Sequence, residues 1–233
     1  MNIALLGYGR MGSLIEQIAL ERQHSIVAIK DIDRPEIDYS QVDIGIDFSS
    51  PEAAEENIMG CLQNGVPVIS GTTGWLDRFE EVAEVCQREK GAFLYASNFS
   101  LGVNIFFALN RNLARLMDTR REYKPDIEEI HHIHKVDAPS GTAITLAEDI
   151  ISNSGYNRWK LNEGSGNTIP IHSKRIGETP GTHTIRYSSP IDDIEIRHTA
   201  HNRNGFALGA VIAAEWLMGK TGVFSMKDVL NLG

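Results

Sequence analysis

Through the first hundred residues, short apolar runs alternate with longer segments in which apolar positions recur every three or four residues. The runs at 2–6, 25–29, 44–48, 66–70 and 92–95 predict strands. The segments at 11–21, 51–63 and 76–90 predict helices, the first after a glycine turn and the second with Pro51 at its start. Strands and helices in alternation predict a parallel sheet covered by helices. After Phe99 the pattern changes. A helix at 103–117, a strand at 126–132 and a helix at 143–153 precede a polar, glycine-bearing loop at 157–172. Strands at 182–187 and 191–198 then pair across a turn at 188–190. A helix at 209–218 and a tail at 225–230 are expected to pack back on the first part. The fold class read from this is α/β: a Rossmann-type N-terminal domain, 1–102 with 206–233, and an α+β domain, 103–205.

At 233 residues the chain buries its cores without cross-links. Cys61 and Cys86 have no partner spacing for zinc or a redox pair, so both are expected to be buried, inert thiols in a reducing compartment. Met1 leads straight into the apolar run at 3–6 without a basic leader. The longest uncharged apolar stretch, 206–214, falls far short of the roughly 20 residues of a spanning helix. A soluble, cytoplasmic protein is expected. A net charge of -9 and a pI of about 5.4 argue against nucleic acid or an anionic membrane as partner. Any anionic ligand therefore needs a local positive cluster.

Gly7-Tyr8-Gly9-Arg10-Met11-Gly12 lies between the first predicted strand and helix, the context in which G-x-G-x-x-G binds a dinucleotide. Gly7 permits the tight turn, Gly9 lets backbone approach a pyrophosphate, and Gly12 lets helix and strand pack closely, with the phosphates on the helix N-terminus. Asp31, nineteen residues past Gly12, ends the second strand, where a carboxylate bonds ribose hydroxyls and favours NAD. The adjoining Lys30 is the kind of cation that accommodates the extra phosphate of NADP, so both cofactors stay open. Arg10 is a candidate for adenine or phosphate. Gly71-Thr72-Thr73-Gly74 and Ala96-Ser97-Asn98-Phe99 also follow predicted strands, and both are small and polar enough for the nicotinamide ribose and carboxamide.

The second half carries Glu128-Glu129-Ile130-His131-His132-Ile133-His134-Lys135-Val136-Asp137-Ala138-Pro139-Ser140-Gly141-Thr142. His131, His132, His134 and Lys135 make a positive patch on an acidic protein. Three readings compete. Histidines bind metals, but no cysteine or defined carboxylate spacing accompanies these, and no metal is expected. A solvated structural strand is the second. The third is a proton donor with anion anchors: histidine titrates near neutrality, lysine supplies a compact charge, and the helix start at Ser140-Gly141-Thr142 offers free N–H groups to a carboxylate.

Over thirteen positions, His131 to Ala143, this string resembles the signature of the 4-hydroxy-tetrahydrodipicolinate reductase (dihydrodipicolinate reductase) family of lysine and diaminopimelate synthesis. The resemblance extends to residues 9–12, 71–73, 98–100 and 102–104. It continues through Arg175, Gly177, Gly181, His183, the stretch 194–196 with His198, Arg203, Phe206-Ala207, and the tail at 225–230. It implies an oxidoreductase that uses NADH or NADPH, takes a small cyclic dicarboxylate substrate and assembles as a homotetramer through its second domain. Carried over, His131 is the proton donor and Lys135 its partner. His132 with the amides of Gly141 and Thr142 contacts a substrate carboxylate. Gly7 through Gly12, Asp31, Gly71 to Thr73 and Ala96 to Phe99 hold the cofactor, and Arg203 and Phe206 are candidate contributors near it. The glycine loop here is one residue more compact than the G-x-x-G-x-x-G of many members, and the link between Asp31 and Ile44 is brief. Another dehydrogenase on the same layout, or a dinucleotide sensor, would share the glycine loop. The thirteen-residue string argues against the former, and a titratable histidine and lysine beside a helix start argue against the latter.

Overall fold

The structure, a computed structural model, describes residues 1–33 and 36–232. In chain order it contains β1 (Asn2–Leu6), α1 (Arg10–Glu21), β2 (Ser25–Lys30), β3 (Ile44–Asp47), α2 (Pro51–Gln63), β4 (Val68–Ser70), α3 (Phe79–Arg88) and β5 (Ala92–Tyr95). Then come α4 (Leu101–Met117), β6 (Lys124–His131), α5 (Gly141–Ser152), β7 (Arg158–Leu161), β8 (Thr168–Arg175), β9 (Gly181–Ser188) and β10 (Asp193–Ala200). The chain ends with α6 (Asn204–Leu217), β11 (Gly222–Phe224) and α7 (Met226–Val229). These fall into two compact units, Met1–Leu101 with Asn204–Gly233, and Gly102–Arg203.

The first unit is built on a six-stranded sheet in the order β11-β5-β4-β3-β1-β2, with every pair parallel. Because side chains alternate along a strand, β1 feeds two cores. Ile3 and Leu5 pack with Ile15 and Ile18 of α1 and the alanines of α6, while Ala4 and Leu6 pack with Ile58 of α2 and Val82 of α3. The order of the sheet reverses at β1, flanked by β2 and β3, which opens a crevice at the carboxyl ends of β1 and β3. Helix α6 starts at Asn204, five residues before the predicted 209. Gly209, the first residue of the predicted helix, has a packing reason inside the observed one. A β-carbon there would lie 1.8 Å from the Phe99 carbonyl oxygen. The three-residue β11, too short to show a period, was not predicted, and the expected helix at 76–90 begins as a 3-10 turn before α3.

The second unit is a five-stranded mixed sheet in the order β10-β9-β6-β8-β7, in which β9 is antiparallel to β6 and β10, and β8 is parallel to β6 and β7. One face carries Ile127, Ile169, Ile171 and Ile185 against Phe106 and Ala114 of α4 and Leu146 and Ile150 of α5. The paired strands expected at 182–187 and 191–198 are β9 and β10. The polar loop expected at 157–172 is a correction: it contains β7 and the start of β8. Strand β7 lies at the edge and is mostly exposed, and Pro170 interrupts the apolar alternation of β8, so neither gave a strand signal. Cys61 and Cys86 are free and buried, and burial pushes the Cys61 thiol up to about 12. Among the described residues, no helix is long and apolar enough to cross a membrane. Gly209→Ala should lower the unfolding free energy by about 3 kcal/mol, because the clash is with backbone. Urea denaturation measures this, and a change below about 0.5 kcal/mol would contradict the tight crossing.

Candidate active site

In the first unit the three glycines do different work. Gly7 has φ +92, donates its N–H to the Lys30 carbonyl at 2.8 Å, and would place a β-carbon 2.4 Å from the Phe48 carbonyl oxygen. Gly12 is pressed against the Gly7 carbonyl, with a β-carbon position only 2.5 Å from its oxygen. Gly9 faces open space and is the N-cap of α1 without a side-chain cap, so the first-turn N–H groups have no intrahelical acceptor. A cavity of about 440 Å³ lies here, lined by Gly7, Tyr8, Gly9, Asp31 and Phe48 among others. A second, of about 460 Å³, shares Gly9, Phe48 and Ser49 with it and adds Arg10, Met11, Gly71, Thr72 and Thr73. These features fit an extended, phosphate-bearing dinucleotide: turn, close approach and helix start stand in one crevice. At the cavity edge Asp31 is exposed, whereas the Lys30 ammonium is drawn to Glu56 at 2.8 Å.

Beneath these loops Asp47, at the end of β3, is fully buried. Its carboxylate accepts from Ser49 Oγ at 2.6 Å, Asn57 Nδ2 at 3.1 Å, Ser70 Oγ at 2.7 Å and Thr72 Oγ1 at 2.7 Å. Burial pushes its carboxyl above the usual range, against the pull of those four donors. Thr72 Oγ1 also accepts from the Ser49 N–H at 2.9 Å, so its hydroxyl is engaged within the protein and ties one loop to the other. Gly71 is close-packed, its β-carbon position 2.3 Å from the Phe48 ring, and Thr73 is exposed. In the other loop the Ala96 N–H donates to the Ser70 carbonyl at 3.2 Å, and Ser97 is exposed. The Asn98 side chain accepts from the Ser100 N–H at 2.9 Å. Phe99 is withdrawn into the core, its ring 5.6 Å from that of Phe48 and its carbonyl packed against Gly209. Asp47 was not singled out in the sequence, although a carboxylate inside the apolar run at 44–48 is a signal.

In the second unit β6 buries alternate residues, Pro125, Ile127, Glu129 and His131, so a carboxylate and an imidazole continue an apolar face. Glu129 is fully buried. It accepts from the Ser140 N–H at 3.1 Å, Ser173 Oγ at 2.7 Å, and Arg175 Nη1 and Nη2 at 3.4 and 3.3 Å. Its Oε2 lies 3.4 Å from His131 Nδ1 and 3.7 Å from His183 Nε2. Burial raises the Glu129 carboxyl, and the hydrogen bonds from Ser140 and Ser173 with the His131 charge outweigh that and hold it low. Burial lowers His131; Glu129 opposes this, Lys135 and Arg175 add to it, Asp137 opposes, and the net is downward. Arg175 also donates to the backbone carbonyls of Lys135 and Asp137, clamping that loop. The Lys135 ammonium contacts both Asp137 carboxylate oxygens, at 2.7 and 2.8 Å.

Ser140 caps α5, its hydroxyl accepting from the Ala143 N–H at 3.2 Å and lying 3.2 Å from His183 Nε2. Gly141 and Thr142, exposed and half-buried, form the first positions of that helix. His132 is half-buried, with a buried Nδ1 that has no hydrogen-bond partner among the described residues. Arg203 is exposed and Phe206 half-buried in the first turn of α6. Glu129, His131 and His183 bring metal-binding atom types within 4.8 Å of one another. The cluster already contains the Arg175 cation, and Glu129 accepts from Ser140 and Ser173 as well, which is the donor set of a hydrogen-bonded carboxylate and a poor one for a second cation. Glu129, Ser173, Arg175 and His183 received no role in the sequence reading; the two-residue period through 127, 129 and 131 was the available signal for the first.

Burial pushes His183 down to about 3, with His131 adding and Glu129 opposing. The unfolded chain binds this proton below about pH 6.5 and the native chain does not until about pH 3. Stability is therefore expected to fall as pH drops through that window. The thermal midpoint of His183→Gln should depend less on pH between about 6.5 and 4 than that of the parent. Identical slopes would contradict a buried neutral His183.

Two family models match the chain: "Dihydrodipicolinate reductase, N-terminus" over residues 27–99 and "Dihydrodipicolinate reductase, C-terminus" over 102–230. A curated 4-hydroxy-tetrahydrodipicolinate reductase of Christiangramia forsetii is 56% identical over 234 residues, covering 99% of this chain and 98% of that protein. One of Methanoregula boonei is 35% identical, covering 96% of this chain and 95% of that protein. A solved dipicolinate-bound dihydrodipicolinate reductase of Paenisporosarcina sp. TG-14 shares the fold, with a TM-score of 0.78 at 24% identity, covering 98% of this chain and 99% of that one. Sequence, family models and fold agree along nearly the whole chain, which belongs to the dihydrodipicolinate reductase family.

Proposed function

We propose that the chain reduces 4-hydroxy-tetrahydrodipicolinate to tetrahydrodipicolinate with NADH or NADPH, a step in diaminopimelate and lysine synthesis. Family membership supports the reaction. The observation that carries the chemistry is the meeting of His131, the clamped Lys135 loop and the capped start of α5 around one buried carboxylate. In this reading the first unit binds the dinucleotide, with Gly7, Tyr8, Gly9, Arg10, Met11 and Gly12 at the pyrophosphate and Asp31 at the ribose. Gly71 to Thr73 and Ala96 to Phe99 frame the nicotinamide end. Lys30, held by Glu56, leaves Asp31 dominant at the ribose and favours NADH. The second unit binds the substrate.

The reduced nicotinamide, once bound, supplies the hydride. As two electrons enter the ring, and water leaves if the substrate arrives hydroxylated, negative charge builds on the conjugated nitrogen system and His131 protonates the resulting anion. Lys135 exchanges Asp137 for a substrate carboxylate. His132 and the Gly141 and Thr142 amides receive that carboxylate at the positive end of α5. Lys135 and Arg175 help hold His131 below its ordinary value in the free chain. A bound dianion adds negative charge beside Lys135 and Arg175 and so opposes that, which favours the imidazolium when there is substrate to protonate. The same reading makes the protein a cytoplasmic homotetramer assembled through the second unit. Strand β10 lies at a sheet edge, with Ile194 on it 40% exposed and Ile191 in the turn before it 88% exposed, which supports an assembly surface there.

With the freshly made condensation product of pyruvate and aspartate semialdehyde, reduced-nicotinamide absorbance should fall, faster with NADH than with NADPH. No loss with either cofactor, despite cofactor binding, would contradict the reaction. His131→Ala should lower kcat by roughly 10²- to 10⁴-fold. Lys135→Ala should raise KM and lower kcat while the cofactor Kd stays near that of the parent. Unchanged turnover in the first variant, or lost cofactor binding in the second, would contradict the assigned role.

A further inference from the structure

Glu129 has no part in the steps above, yet it touches both ends of the substrate machinery. It stands on the same face of β6 as His131, two residues away, with no exposure to solvent. Its Oε2 is 3.4 Å from His131 Nδ1, a buried nitrogen with no hydrogen-bond partner among the described residues. Both carboxylate oxygens accept from the Ser140 N–H at 3.1 Å, and Ser140 caps the helix whose next two residues are Gly141 and Thr142. Ser173 and Arg175 hold the carboxylate from β8.

We propose that Glu129 is a positioning residue that joins the two halves of the substrate site, holding His131 from its Nδ1 side while fixing the start of α5 through the Ser140 amide. This rests on the reduction proposed above and names a residue that reaction requires. A carboxylate beside Nδ1 keeps a proton on that nitrogen, so Nε2 is the one that gives up and regains the transferred proton. Nε2 lies on the side of Gly181, where a β-carbon would come within 3.2 Å of it, so a glycine there leaves the ring room. The charged and titratable groups facing His131 are Glu129 on β6, Lys135 and Asp137 in the following loop, Arg175 on β8 and His183 on β9. Lys135 and Arg175 oppose the imidazolium, and Glu129 leads the groups that favour it. Neutralising Glu129 therefore leaves the proton donor harder to charge.

The test compares the parent with Glu129→Gln and Glu129→Asp, reading kcat and KM against pH with the condensation product, NADH affinity, and the titration of the His131 ring protons by NMR in the free chain. In Glu129→Gln the high-pH fall of kcat should move to lower pH by about one unit, a loss of about tenfold on the alkaline side that shrinks as pH is lowered. NADH affinity should be unchanged. Glu129→Asp, which withdraws the charge by one methylene, should shift the limb and the His131 titration in the same direction by less. A kcat loss in Glu129→Gln that is equal at every pH, with His131 titrating as in the parent, would overturn the proposal and leave Glu129 a structural residue. Should Glu129→Gln not fold, a His131 titration in Glu129→Asp at or above the parent's pH would overturn it alone. If the parent itself does not turn over the substrate, the proposed reaction fails, and the NMR titration still decides the part played by Glu129.

Discussion

A carboxylate carried into a protein interior costs several kcal/mol unless donors meet its oxygens, and each unit of this chain is organised around one. Asp47 closes β3 and gathers Ser49, Asn57, Ser70 and Thr72, so the loops after β3 and β4 are fixed against one another. Glu129 precedes the end of β6 and gathers Ser140, Ser173 and Arg175, so a helix start and a neighbouring strand are fixed around it. In both places the buried charge lies one layer below residues that face open space. Loops of glycine, serine and threonine have little packing of their own to set their shape, and the carboxylates supply it.

The two units use this device for opposite electrostatic ends. In the first, glycines and hydroxyls line the crevice together with Arg10, and the start of α1 offers it backbone N–H groups without a side-chain cap. In the second, Lys135 and Arg175 set positive charge beside His131 and His183 on a chain whose net charge is -9. Glu129 keeps that concentration tolerable. Without it, the Arg175 guanidinium would lose its buried carboxylate partner beside two buried imidazoles.

Much of this was legible in the residues. The glycine loop, its strand and its helix stand where the pattern puts them, because the strand is apolar on both faces, Gly7 and Gly12 have steric reasons and Gly9 stands open between them. The helix start at Ser140 was legible from its capping chemistry. Strands β7, β8 and β11 were not: one is an exposed edge, one is interrupted by Pro170, and one is only three residues long. Glu129 and Asp47 were passed over for another reason. A charged residue in a strand reads as solvent-facing, and what makes each of them interior is a set of donors brought from elsewhere in the chain, such as Arg175 for Glu129 and Thr72 for Asp47. Phe99 shows the converse. Its loop has the composition of a ligand contact, while its ring belongs to the core under that loop.

The most direct test of the account follows the two hydrogens. With nicotinamide cofactor carrying deuterium at the transferred position, in ordinary water, the mass of the tetrahydrodipicolinate formed should rise by one deuterium, the other new hydrogen coming from the protonating side. Product without label, formed while the cofactor is oxidised, would contradict hydride transfer to the ring and with it the roles given to both units.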